Sequence, residues 1–351
     1  MLHPIAPFRL DLTAWALRRR ANNEIDRWDG RTYARTIAVN DRAVDLEVTQ
    51  AGSATRPALH VVARGAAGHA VRATATAVLS RALGVDIDLA DFYRMARGDA
   101  RLALLVERFR GLKPPRFPTV FEAVVNGIAC QQLSLTVGII LLGRLCNLCG
   151  PSSSSGAHAF PRPKDIAALT PARLRALGFN RNKARGLLEL ACAVEGGFDL
   201  EGLADLDDEV VVERLVTLRG VGRWTAEYAL LRGLGRLAMF PGDDVGARTN
   251  LARWMKLRTP LDYDRVRRLA HRWQPYPGFL YFHLLLQSLD ETGTLTPAVP
   301  ASRASSVLAR SGPFGPDLGK RDRRVRERAA GTHLGGDPDR FHQLVGRGPG
   351  T

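Results

Sequence analysis

Two neighbouring carboxylates, Asp243 and Asp244, follow a Pro-Gly turn in the segment Met239-Phe240-Pro241-Gly242-Asp243-Asp244-Val245-Gly246-Ala247-Arg248. The turn delivers them to the start of a helix expected over residues 245–257. An Asp at that place is commonly an N-cap whose side chain accepts backbone N–H groups. The same place also suits chemistry. Free N–H groups and the helix dipole favour the ionised carboxylate, and a fixed anion there can stabilise a sugar cation as a base departs. A second segment lies just upstream: Leu218-Arg219-Gly220-Val221-Gly222-Arg223-Trp224-Thr225-Ala226. An apolar helix is expected over residues 210–217 and another over 225–231. Two glycines around one apolar residue allow a tight hairpin between them, with positive φ and no Cβ in the way. Backbone N–H groups left free at the start of the second helix form an anion site. On a basic chain the natural anion is a DNA phosphate, held without regard to sequence. The plain alternative is a simple helix-to-helix turn. A dinucleotide fingerprint is excluded, because no strand precedes the turn and G-x-G-x-x-G is incomplete.

These segments sit in a chain of 351 residues, with 50 Lys and Arg against 35 Asp and Glu and a net charge of +15. Length alone points to two or three domains. With 45% apolar and 24% charged residues the composition is that of a globular protein, not of a disordered or fibrous one. The basic excess points to a polyanion such as nucleic acid. Five lysines against 45 arginines also reflect a compositional bias, which weakens charge as an argument. The four cysteines, Cys130, Cys146, Cys149 and Cys192, are too few for a disulfide scaffold and fit a reducing cytoplasm. Cys146 and Cys149 form a C-x-x-C, but no second pair or nearby His completes a zinc set, and both fall in an apolar helical run. Residues 1–17 lack the basic start of a secretory signal. The longest uncharged run, residues 126–143, is interrupted by Asn126, Gln131, Gln132, Ser134 and Thr136. It reads as a buried core helix, not a membrane span.

The elements that position the motifs follow from pattern. Residues 33–39, 43–49 and 58–63 read as strands, with a hairpin turn at 39–42, and residues 70–83 read as a helix packed on them. This makes residues 1–90 an N-terminal α+β domain. Residues 91–296 read as a helical domain of short helices, one starting at Thr170-Pro171 with Thr170 as N-cap. Residues 297–351, rich in Arg, Gly, Pro and Ser, read as a disordered basic tail.

The hairpin at 218–222, followed by Asp244 22 residues after Gly222, resembles the helix-hairpin-helix superfamily of DNA glycosylases, nearest to its bacterial alkylated-base branch of the 3-methyladenine DNA glycosylase II type. Further segments carry the likeness. Residues 117–122 leading into Ile128-Ala129-Cys130-Gln131-Gln132-Leu133-Ser134 resemble the first core helix and its wedge loop. Leu177-Gly178-Phe179-Asn180-Arg181-Asn182-Lys183-Ala184 resembles a junction between core helices, and Arg272-Trp273-Gln274-Pro275-Tyr276 the helix near the pocket. The likeness covers residues 5–292 and includes the N-terminal α+β unit. It implies a mainly α fold with an N-terminal α+β domain and a helix-hairpin-helix glycosylase core.

Carried onto this chain, the resemblance implies a monofunctional glycosylase of base excision repair, a hydrolase of N-glycosidic bonds that flips out alkylated bases such as 3-methyladenine. Asp244 is the implied catalytic carboxylate and Asp243 its structural neighbour, with a shift of one position left open. Leu218, Gly220, Val221, Gly222 and Thr225 are the implied DNA-binding residues, and Gln132 the plug for the gap left by the flipped base. Trp224 and Tyr228, four apart on one helix face, are implied in the base pocket, with core packing as the alternative. Members that also cut the backbone carry a Lys at position 224 for a Schiff base, so Trp224 implies hydrolysis alone. No cysteine follows Cys192, so no iron–sulfur cluster is expected; a monovalent cation on hairpin carbonyls is the one ion implied, and no catalytic metal. Leu285 and Leu286 stand where the branch has aromatics. His283 reads as a satisfied core histidine. The expected partner is double-stranded DNA containing damaged bases, met by a monomer in the bacterial cytoplasm, associated with the nucleoid through DNA and not with a membrane. A glycosylase for another damaged base, or a non-catalytic DNA-binding module, are the alternatives.

Overall fold

The computed structural model describes residues 1–295, so the predicted basic tail lies outside the described residues. The chain opens with helix α1 (Leu10–Arg18), then strands β1 (Arg27–Trp28), β2 (Thr32–Val39), β3 (Arg42–Ala51) and β4 (Ala58–Arg64), then α2 (His69–Leu83). Twelve further helices follow: α3 (Ala90–Ala96), α4 (Ala100–Arg108), α5 (Val120–Cys130), α6 (Leu135–Cys149), α7 (Pro163–Ala167), α8 (Pro171–Ala176), α9 (Arg181–Glu195), α10 (Asp208–Val216), α11 (Arg223–Ala229), α12 (Val245–Trp254), α13 (Tyr263–Ala270) and α14 (Pro277–Glu291).

The strands form one antiparallel sheet in the order β1-β2-β3-β4. The β2–β3 turn has positive φ at both Asn40 (46°) and Asp41 (64°), the geometry that matches strand twist in a two-residue hairpin and that these two residue types tolerate. It pairs Ile37 with Val44 and Tyr33 with Val48. Helix α2 turns Val71, Ala75, Leu79 and Ala82 inward, at helical spacing. Helix α1, which no turn or strand signal announced, is buried along its whole length. Leu10, Ala14 and Leu17 join the core of the sheet, while Leu12, Trp15 and Ala16 join the cluster built from α3, α4 and α14.

The uncharged run at residues 126–143, expected as one core helix, is two. Helix α5 ends at Cys130, Gln132 takes a left-handed φ of 52°, and Ser134 caps α6 by accepting Val137 N–H. The polar residues that interrupt the run therefore mark a turn. Likewise α11 starts two residues earlier than expected, at Arg223, and α12 ends at Trp254.

A charged cluster joins sheet to helices. Arg35 on β2 is fully buried and bonds Asp26 Oδ1 (2.7 Å) and both oxygens of Glu122 on α5 (2.6 and 2.7 Å), and the Tyr33 hydroxyl also donates to Asp26 (2.8 Å). Removing one member of such a pair leaves an uncompensated charge inside the protein. Glu122→Ala is thus expected to lower stability by about 3–5 kcal/mol, read as a lower denaturant midpoint. An unchanged midpoint would show that the pair contributes nothing net.

Candidate active site

The hairpin between α10 and α11 is closed by Leu218 N–H on the Leu215 carbonyl and Val221 N–H on the Leu218 carbonyl, both 3.1 Å. Gly220 has φ of +80°, where a side chain is strained. Gly222 is the N-cap of α11, and the first helical bond runs from Ala226 N–H to its carbonyl (3.0 Å). The N–H groups of Arg223, Trp224 and Thr225 consequently have no carbonyl partner within the helix. Arg219, Gly220 and Gly222 are exposed, Leu218 is half-buried, and Val221 is buried as the anchor of the turn. Thr225, expected to meet DNA, turns its side chain inward and leaves only its backbone for that purpose.

Two other elements hold this hairpin. A Cβ on Gly186 of α9 would lie 3.0 Å from the Arg219 carbonyl oxygen, so α9 and the hairpin touch backbone to backbone. Gln131, at the end of α5, donates from Nε2 to the Gly220 carbonyl (2.7 Å) and to the Thr225 hydroxyl (2.8 Å). Lys183 of α9 is buried and donates to the carbonyls of Ala129 (2.9 Å) and Gln131 (2.5 Å). Burial lowers its pKa. Gln132, the next residue, is exposed. The expected plug and the expected phosphate grip are therefore tied to one another through Gln131.

The geometry separates the two aspartates. Asp243 accepts Arg223 Nε (2.9 Å) and a terminal nitrogen (2.7 Å) on the same oxygen, in an exposed ion pair. Asp244 is the N-cap of α12: its Oδ1 accepts Ala247 N–H (2.8 Å), and its Oδ2 meets only Trp224 Nε1, at a long 3.4 Å. Burial pushes the Asp244 carboxyl above the usual aspartate range, opposed by the Ala247 N–H, the Trp224 indole and, more weakly, Arg19. Trp224 is half-buried and stacks on Tyr228, with ring centroids 5.5 Å apart at 29°. Tyr228 itself is core, and its hydroxyl accepts Arg19 at 2.8 Å.

Arg19 and Tyr281 were not foreseen from sequence. Arg19 closes α1 with φ of 63° and is buried, bonding Tyr228 and Asn126 Oδ1 (2.7 Å), with Phe117 5.4 Å beneath the guanidinium. The helical spacing of Leu10, Ala14 and Leu17 was the available signal for α1. Tyr281 on α14 is buried, and burial followed by the Asp244 charge raises its hydroxyl pKa. Leu286 is buried and Leu285 half-buried on the same helix. Cys130, also beside Arg19, has its thiol pushed up by burial. His283 accepts no site role: it is buried between Phe92 and Phe279, bonds the Phe279 carbonyl (2.9 Å), and burial lowers its pKa to about 4.

A helix pair joined by a glycine hairpin thus stands beside a helix-capping carboxylate that faces an indole, the geometry of a candidate site next to free backbone N–H groups. Residues 125–275 match the model of the HhH-GPD superfamily base excision DNA repair proteins. It is 28% identical over 204 residues to a DNA-3-methyladenine glycosylase of Bacillus subtilis, covering 57% of this chain and 67% of the relative. It is 32% identical over 178 residues to DNA-3-methyladenine glycosylase 2 of Escherichia coli K12, covering 50% of this chain and 60% of that one. The solved 3-methyladenine DNA-glycosylase from Archaeoglobus fulgidus superposes with a TM-score of 0.73 at 25% identity, over 84% of this chain and the whole of the other.

Gly186→Ala tests the backbone contact behind the hairpin. The added methyl forces the Arg219 carbonyl outward, and affinity for duplex DNA is expected to fall by roughly tenfold, about 1.4 kcal/mol, in fluorescence anisotropy. Unchanged affinity would show that the hairpin does not hold DNA.

Proposed function

We propose that the chain is a monofunctional DNA glycosylase of base excision repair, releasing alkylated bases such as 3-methyladenine by hydrolysis. One observation carries the reading: Asp244 Oδ2 is left with a single long contact, to Trp224, at the position where strand-cutting members of the resembled superfamily hold a lysine. The names of the relatives support the substrate class. An alkylated purine bears positive charge and is already a good leaving group, and aromatic faces such as that of Trp224 favour it. As the C1′–N bond breaks, the bonding pair leaves with the base and the sugar becomes oxocarbenium-like. The Asp244 carboxylate stabilises that charge and orients the water whose oxygen joins C1′. Gln132 fills the gap in the stack, and the hairpin N–H groups hold phosphate.

Leu285 and Leu286 favour a second reading on the same scaffold, a pocket poorer in aromatic faces that accepts another damaged base. The monovalent cation implied by the resemblance would use hairpin carbonyls. That of Gly220 is already taken by Gln131, so the donor set fits only in part and no step is routed through an ion. No redox cofactor or iron–sulfur cluster enters the scheme. One chain supplies the whole site, which supports action as a monomer. No helix among the described residues is long and apolar enough to cross a membrane; the bacterial cytoplasm, at the nucleoid, is the proposed place of work.

Asp244→Asn is expected to retain DNA binding and to lose base release from methylated duplex by about 10²–10³-fold. Because burial raises its pKa, the wild-type rate is expected to fall with acid at a midpoint above the ordinary aspartate value of about 3.9. Equal release by both proteins would sink the role of Asp244. Borohydride added during turnover is expected to trap no protein–DNA adduct, whereas a trapped adduct would show an imine-forming lyase.

A further inference from the structure

Asp244 is carried on the short segment between Phe240 and α12, whose internal backbone bond is Asp244 N–H to the Pro241 carbonyl (3.1 Å). The rest of its support comes from side chains. Glu227, one turn after Arg223 on α11, is buried at 3% exposure. Its Oε2 accepts Gly242 N–H at 3.1 Å, and its Oε1 accepts the Tyr263 hydroxyl of α13 at 2.6 Å. The Tyr263 ring closes the other side of Gly242, where a Cβ would come within 2.6 Å of it. Above that ring, at 3.7 Å, lies the Arg223 guanidinium, which holds Asp243.

Both residues before Asp244 are thus gripped from α11, and Asp244 itself meets Trp224 of the same helix. A buried carboxylate with only neutral donors is a costly choice for packing, which an apolar side chain would serve better. What the carboxylate supplies is two acceptors, one aimed at the loop backbone and one at the residue that walls it in.

We infer that Glu227, braced by Tyr263, is a positioning residue that sets where the Asp244 carboxylate stands relative to the sugar. The inference rests on the glycosylase reading above. A misplacement of about 1 Å at a reacting group costs about 10²-fold in rate, so small shifts of this segment are legible in kinetics.

The test compares single-turnover base release and DNA affinity on dimethyl sulfate-methylated duplex for wild type, Glu227→Ala, Glu227→Gln and Tyr263→Phe, each checked for folding by its thermal transition. Glu227→Ala is expected to lose about 10- to 100-fold in rate with DNA affinity unchanged. Glu227→Gln is expected to restore most of the rate, since its amide oxygen can accept Gly242 N–H while its NH2 donates to the Tyr263 oxygen. Tyr263→Phe, the milder change should Glu227→Ala fail to fold, is expected to show a smaller loss of rate alone. A wild-type rate in Glu227→Ala or Tyr263→Phe overturns the inference, as does a loss matched in DNA affinity or a glutamine no better than alanine. Absence of base release by the wild type overturns the glycosylase reading itself, a result the variants cannot mimic.

Discussion

A carboxylate withdrawn from water loses its hydration, and the protein must replace it or the charge will not persist. At Asp244 the replacement comes from the first turn of α12, from the Trp224 indole and, at longer range, from the Arg19 guanidinium. The last of these explains why the N-terminal unit belongs to the site. Arg19 arrives from the end of α1, and α1 is fastened to the helical core by Arg232, which donates to the carbonyls of Ala16 (3.0 Å) and Leu17 (3.2 Å). Arg232 lies in a single π-helical turn, Leu230–Leu234, that directly continues α11. The helix that starts at the hairpin therefore ends by anchoring the helix that delivers the buried cation.

A second set of contacts gives the DNA-facing elements a common frame. The turn at Gln131–Gln132, the hairpin and α9 are linked by one amide, one buried ammonium and a glycine–glycine contact. None of these groups is charged at the surface. Some of the cations work within the protein: Arg19, Arg35 and Arg232 are buried, and each carries a guanidinium that bonds backbone or side-chain oxygens. Net charge thus says less about this protein than the places where individual cations sit.

The parts legible in sequence are those with local causes. The Asn40–Asp41 turn, the strands around it, the glycine hairpin and the capping aspartate Asp244 follow from short-range chemistry and stand where the pattern put them. The choice between Asp243 and Asp244 was not local, because it depends on Arg223 reaching across 20 residues. Glu227 reads in sequence as one more polar residue on a helix, and only the fold brings Gly242 and Tyr263 to it. Thr225 looked like a phosphate ligand because its position in the motif is visible and its orientation is not. Helix α1 is faint for a different reason: all of it is buried, polar Asp11, Thr13 and Arg18 included, so the spacing of Leu10, Ala14 and Leu17 is its one signal and no exposed polar face reinforces it.

Cys130 adds a property of a different kind. A thiol reacts with electrophiles as thiolate, and burial raises the pKa of this one despite the opposing Arg19 and Lys183 cations, as burial also raises that of Cys146 and, to about 12, that of Cys149. Agents that methylate DNA bases also methylate cysteines. In the function proposed here, the protein works wherever such agents are present, with its site-lining sulfur held in the form they attack most slowly. A raised thiol pKa slows the reaction of this sulfur with the very reagents whose products the protein would remove.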